Sequence, residues 1–120
     1  MISGTVYRVQ DVFGRGPYRP GFSTRWRNPE FDNPPSFLVQ FPDILPVMHI
    51  RHAMIGGHFG CGFRTMHQLH KWFLQSEIDT LLEFGYFMVE IPADDIMIES
   101  ENQLVFWCKK PLHEIAKVVE

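Results

Sequence analysis

Residues 65–91 read TMHQLHKWFLQSEIDTLLEFGYFMVEI, the stretch with the clearest structural signals in the chain. Thr65 and Gln68 have capping-box spacing, in which the hydroxyl accepts a backbone N–H and the amide reaches back to the N-cap. Met66, Leu69, His70 and Phe73 follow at helical spacing. Ser76 and Asp79 repeat the N-cap pattern for a second helix carrying Ile78, Leu81 and Leu82. Gly85 then sits where a left-handed residue would end it. Beyond the glycine the period changes to two, with Phe87, Val89 and Ile91 on one face of a strand. The stretch therefore predicts two consecutive short helices feeding a strand.

Downstream, PADD (92–95) turns the chain and QLVFWCK (103–109) reads as a second strong strand. Upstream, GTVYRVQ (4–10) alternates apolar and polar residues and reads as the first strand. FLVQF (37–41) fits a short strand, and residues 42–63 fit either a helix or a strand. Residues 11–36 are so dense in Pro and Gly that a long ordered loop is expected, and loops of this length tend to be functional. The order gives an α+β fold: a single compact domain over 1–120, an antiparallel or mixed sheet, two consecutive short helices and a long Arg/Pro/Gly-rich loop.

Composition narrows the class. The chain is 45% hydrophobic and 21% charged, as folded proteins are, and its eleven Phe and three Trp point to an aromatic core. No apolar run reaches the ~20 residues of a membrane helix, and MISGTVYRV does not resemble a signal peptide. Two cysteines, Cys61 and Cys108, argue against a disulfide framework, which fits a cytoplasmic protein.

Charge is distributed unevenly. Residues 1–27 hold five arginines (Arg8, Arg15, Arg19, Arg25, Arg27) against Asp11 alone, whereas residues 28–120 balance at −7. Guanidinium forks match phosphate oxygens at two points, and Pro and Gly let backbone N–H groups approach an anion. Tyr18, Phe22 and Trp26 are placed to stack on a base or nicotinamide ring. The competing reading pairs these arginines with acids of the other half. Direct nucleic-acid binding is disfavoured by the net charge of −3 and by the absence of lysine from the Arg-rich end.

His49, His52, His58, His67 and His70 crowd around Cys61, yet their spacing matches no recognised zinc pattern. Packed or solvated histidines are expected, with no metal. Cys61, in GGHFGCGF, is either a nucleophile on a tight glycine turn or a small buried thiol.

Three separated elements resemble the ADP-ribosyltransferase fold: Arg8 in VYRV, Thr65 in GFRTMHQLHKWF, and Glu101 with Gln103 in ESENQLVF. Residues 62–106 also resemble small uncharacterised bacteriophage proteins. The resemblance implies a domain binding NAD or a related nucleotide, with Arg8, Arg15, Arg19 and Thr65 as cofactor-binding residues. Arg8 would orient the ribose or phosphate of NAD and Thr65 would brace the nicotinamide ribose. The catalytic position falls to Glu101 or Gln103. If Gln103 holds it, an amide replaces the family's carboxylate and supplies no charge to an oxocarbenium-like transition state. If Glu101 holds it, ADP-ribose transfer to a host macromolecule is retained. The rival reading is a non-enzymatic protein that inhibits a host or defence protein, with Trp26, Trp72, Trp107 and the arginines at its interface.

Overall fold

A computed structural model describes residues 1–31 and 36–119; residues 32–35 of the long loop lie outside the described residues. The elements run β1 (Gly4–Asp11), a 3-10 turn (Ser23–Arg25), α1 (Phe37–Gln40), α2 (Ile44–Ile55), β2 (His58–Gly62), α3 (Met66–Trp72), α4 (Gln75–Glu83), β3 (Tyr86–Ala93), β4 (Asp95–Glu99), β5 (Leu104–Cys108), α5 (Leu112–Ile115) and β6 (Lys117–Val118). The fold is α+β, with its strands divided between two antiparallel sheets, ordered β1-β3-β6 and β2-β5-β4.

Strand periodicity explains the layering. On β3, Val89 and Ile91 face a cluster shared with Val6 of β1 and with Leu104, Phe106 and Cys108 of β5. The two sheets therefore stack over a common apolar core. The opposite face of β3 turns Tyr86 and Met88 toward α3, α4 and the long loop, where Leu69, Trp72, Phe73, Ile78 and Leu81 complete a second cluster. A third cluster joins Val105 and Cys61 to Phe37 and Phe41 of the α1 segment and to Ile44 of α2. Helices thus cover both outer faces.

A backbone bridge stitches the two sheets together. Tyr7 and Phe63 exchange backbone hydrogen bonds at 2.8 Å in both directions. Close approach there requires Gly62, because a Cβ would come within 2.7 Å of the Tyr7 carbonyl oxygen.

The capping box at Thr65 forms as its spacing predicts: Thr65 Oγ1 accepts from Gln68 N at 3.1 Å, and Gln68 Oε1 accepts from Thr65 N. Gly85 takes φ +84°, the left-handed value expected. Two local readings are corrected. The second helix starts earlier than the Ser76/Asp79 pattern implies, because buried Glu77 accepts from Leu74 N at 2.9 Å and caps the helix from its third position. FLVQF is a helical turn, not a strand. It buries Phe41 and half-buries Phe37, four residues apart, and leaves Leu38 and Val39 exposed. Its Phe41 N–H donates to the Phe37 carbonyl at 2.8 Å, and burying a ring of that size is worth about 2–3 kcal/mol.

Candidate functional site

Alternation along β1 puts Val6, Arg8 and Gln10 on the inter-sheet face and Tyr7 and Val9 on the helix face. Arg8 therefore occupies a core position, only 7% exposed. Its guanidinium crosses β2 and lies over the Phe106 ring, 5.9 Å from the centroid. Gly60 makes this possible: a Cβ there would fall on Arg8 Nη1 and within 2.7 Å of Phe106 Cζ. Gly16 closes the other side, where a Cβ would stand 3.3 Å from Nη2. The glycines of HFGCGF thus make room for an arginine on a neighbouring strand. They form no tight turn around Cys61.

The guanidinium is poorly satisfied. Nη1 donates to the Cys61 carbonyl at 3.3 Å and Nη2 to the Gly14 carbonyl at 3.5 Å, both long. Nε is buried with no partner among the described residues. Among the described residues Arg8 makes no salt bridge; the ion pairs join Arg15 to Asp11, Arg51 to Asp95 and Arg64 to Glu99. Burial pulls its pKa down, and the weaker attractions of Cys61, Cys108 and Asp11 do not restore it.

Arg8 opens onto a cleft of about 790 Å³ at the junction of β1, β2, the long loop and α1. Arg19 and Arg27 also line it, and Arg19 Nε is a second buried donor without a partner among the described residues. Aromatic walls come from Tyr18, Phe37, Phe59, Phe63, Trp72 and Phe73. A size of 300–1,000 Å³, mostly apolar walls and a few convergent polar groups describe a small-molecule site.

The loop is held in place by contacts within itself and with α3 and α4. Asp11 accepts from Phe13 N and Arg15 N at 2.9 Å and from Arg15 Nε at 2.8 Å. Trp26 Nε1 donates to the Pro17 carbonyl, and Trp72 Nε1 donates to the Tyr18 hydroxyl at 2.7 Å. Asn28 N donates to Glu77, which thereby ties the middle of the loop to α4. Of the three rings expected to stack on a ligand, only Tyr18 lines the cleft. Trp26 is buried against Phe73 and Tyr18, and Phe22 packs on Tyr86 and Phe84.

The six candidate residues separate into two groups. Arg8, Arg19 and Gln103 meet at the cleft. Gln103 is buried and donates from Nε2 to Gln40 Oε1 at 3.1 Å. Arg15 is spent on Asp11 and on the Phe13 ring, 5.0 Å away. Thr65 uses its hydroxyl as a helix cap, and Glu101, exposed, offers its carbonyl to Gln68 Nε2 at 2.9 Å. These last two are thus joined through Gln68, outside the residues lining the cleft.

Cys61 lines the cleft, but burial pushes its thiol up to about 11 despite the pull of Arg8, so it stays protonated at neutral pH. His49, His52, His58, His67 and His70 are all exposed. Among the described residues no three His, Cys, Asp or Glu side chains gather to hold a metal. Trp26, Trp72 and Trp107 are buried and offer no interface, which removes the aromatic anchors of the rival reading.

The sequence marks Arg27 only as one of the five arginines of the N-terminal segment, and it singles out neither Phe37, Phe59 and Phe63 of the walls nor the pairing of Gly60 with Gly62. Glycine at 60 and 62 was a usable signal, because alternate glycines strip one face of a strand bare.

A family model described as Bacteriophage T4 Y00F protein matches residues 1–116. The chain belongs to that phage family. The match includes every residue lining the cleft, from Arg8 to Val105. Neither the curated proteins nor the solved structures contain a match to this chain. Among the described residues no helix is long and apolar enough to cross a membrane.

Proposed function

We propose that this phage protein binds NAD or a related nucleotide in the cleft, on an ADP-ribosyltransferase-like arrangement of strands, in the host cytoplasm. One observation carries the reading: a buried arginine, met by two long carbonyl contacts and no described carboxylate, faces an aromatic-walled cleft of nucleotide size. A buried guanidinium has lost its water and needs an anionic partner. A ligand diphosphate supplies one, as two-point oxygen acceptors for Arg8 and a further oxygen for Arg19 Nε, which has no partner among the described residues. The aromatic walls suit a nucleobase or nicotinamide, which every ring can stack on.

A thermal-shift titration with NAD tests the reading, because a ligand that binds only the folded state raises Tm. The shift is expected in the parent and not in Arg8→Ala. No shift at millimolar NAD rejects the proposal and returns the rival, a protein-binding inhibitor. That rival would then use the exposed α2 face of Val47, Ile50 and Met54.

A further inference from the structure

Resting on the nucleotide reading, we propose that the cleft captures its nucleotide intact: the activity is sequestration of a phosphorylated nucleotide, not transfer of its ADP-ribose. Transfer would break the bond between ribose C1′ and the nicotinamide nitrogen. Nicotinamide leaves with the electron pair, and positive charge develops on the ribose ring. That charge needs a facing carboxylate, and the incoming acceptor needs a base.

The described lining residues hold neither Asp, Glu, His nor Lys. Of the carboxylates that flank Gln103 in the chain, Glu99 is paired with Arg64 at 3.0 Å and Glu101 is exposed. The position entering β5 presents the Gln103 amide, tied to Gln40. Among the described lining residues, the titratable groups other than arginine are Tyr18 and Cys61, and both are held neutral. Burial pushes Tyr18 up to about 12, against the Trp72 hydrogen bond, and Cys61 up to about 11.

Charge points the same way. Arg8 and Arg19 line the cleft together. Cations close to a diphosphate stabilise the bound ground state, yet they oppose positive charge growing on the adjacent ribose. Interactions that favour the ground state over the transition state raise affinity and slow chemistry. Arginine is also the suitable cation for a permanent clamp, since it stays charged where a buried lysine would release its proton.

The test uses the full chain in molar excess over NAD. Free NAD is measured in the ultrafiltrate, and total NAD and nicotinamide are measured after the protein is denatured. Capture predicts that NAD disappears from the filtrate and is recovered whole. Nicotinamide release should match the buffer blank, where a working acid or base would raise it at least ~10²-fold. NAD that binds but yields nicotinamide above the blank, with release lost in Glu101→Gln, would overturn capture and leave the nucleotide reading standing. NAD that stays in the filtrate at millimolar concentration would overturn both.

Discussion

Replacing Arg8 by methionine separates a ligand-binding role from a structural one. Methionine keeps an unbranched apolar chain between the sheets and removes the charge. The losses are the contacts to the Cys61 and Gly14 carbonyls, at 3.3 and 3.5 Å. Well-formed hydrogen bonds from a charged donor are worth about 1.5–3 kcal/mol each, and these lie at the weak end. The gain is relief of burying an unpaired guanidinium, a penalty of several kcal/mol. The balance puts Arg8→Met between neutral and about 2 kcal/mol more stable than the parent. At ~2.1 cal/mol/K per residue, 120 residues give about 0.25 kcal/mol per degree, so Tm should stay level or rise by up to about 8 °C. Thermal melts followed by circular dichroism read this directly. At a hundredfold excess over Kd, ligand should add about 2.7 kcal/mol to the parent and nothing to the variant. A fall in Tm of about 8 °C or more in the ligand-free variant would mean that Arg8 holds the sheets together, and the ligand-binding role would fall with it.

Other outcomes follow from the same contacts. Gly60→Ala drives a methyl group into Arg8 and Phe106, so it should cost about 1–3 kcal/mol of overpacking and weaken NAD binding; paired melts and titrations check both. Glu77→Ala orphans the Leu74 and Asn28 N–H groups and should cost about 2–4 kcal/mol, with the loop more open to limited proteolysis. Acid should destabilise the fold through Asp11 and Asp95. Burial pushes both carboxyls up, but hydrogen bonds and the Arg15 and Arg51 guanidinium groups outweigh it and hold both below the ordinary value. Their stabilisation is full above about pH 4 and is lost as pH falls through the lowered folded values, so Asp11→Asn and Asp95→Asn should flatten the acid limb of Tm against pH.

Local signals in the sequence carried much of the fold. The Thr65 box, Gly85 and the two-residue period of β3 act within a few residues of themselves, so a linear reading finds them. The division into two sheets was not legible, because it rests on long-range pairings, β1 with β3 and β2 with β5. FLVQF misled because a short, mostly apolar run fits either period until packing against Val105 and Ile44 selects the helical one. At the site, Arg8 was legible as an arginine on an apolar-polar strand. Gln103 and Glu101 were not separable by sequence, since both share one face of an extended chain. Only the pairing of β5 with β2, and the Gln40 contact, bring Gln103 to the cleft.

The functional reading stands or falls on Arg8 as a buried cation, without a described carboxylate, that takes its counter-anion from a ligand. The nitrogen-15 NMR signal of Arg8 Nε–H during NAD titration reports on this at the atom concerned, and its loss in Arg8→Met assigns it. Slowly exchanging, buried Nε–H signals are expected from Arg8 and Arg19, and the one lost in Arg8→Met should move downfield and saturate as a phosphate oxygen accepts its proton. A signal that stays fixed through millimolar NAD would show that Arg8 meets no ligand phosphate.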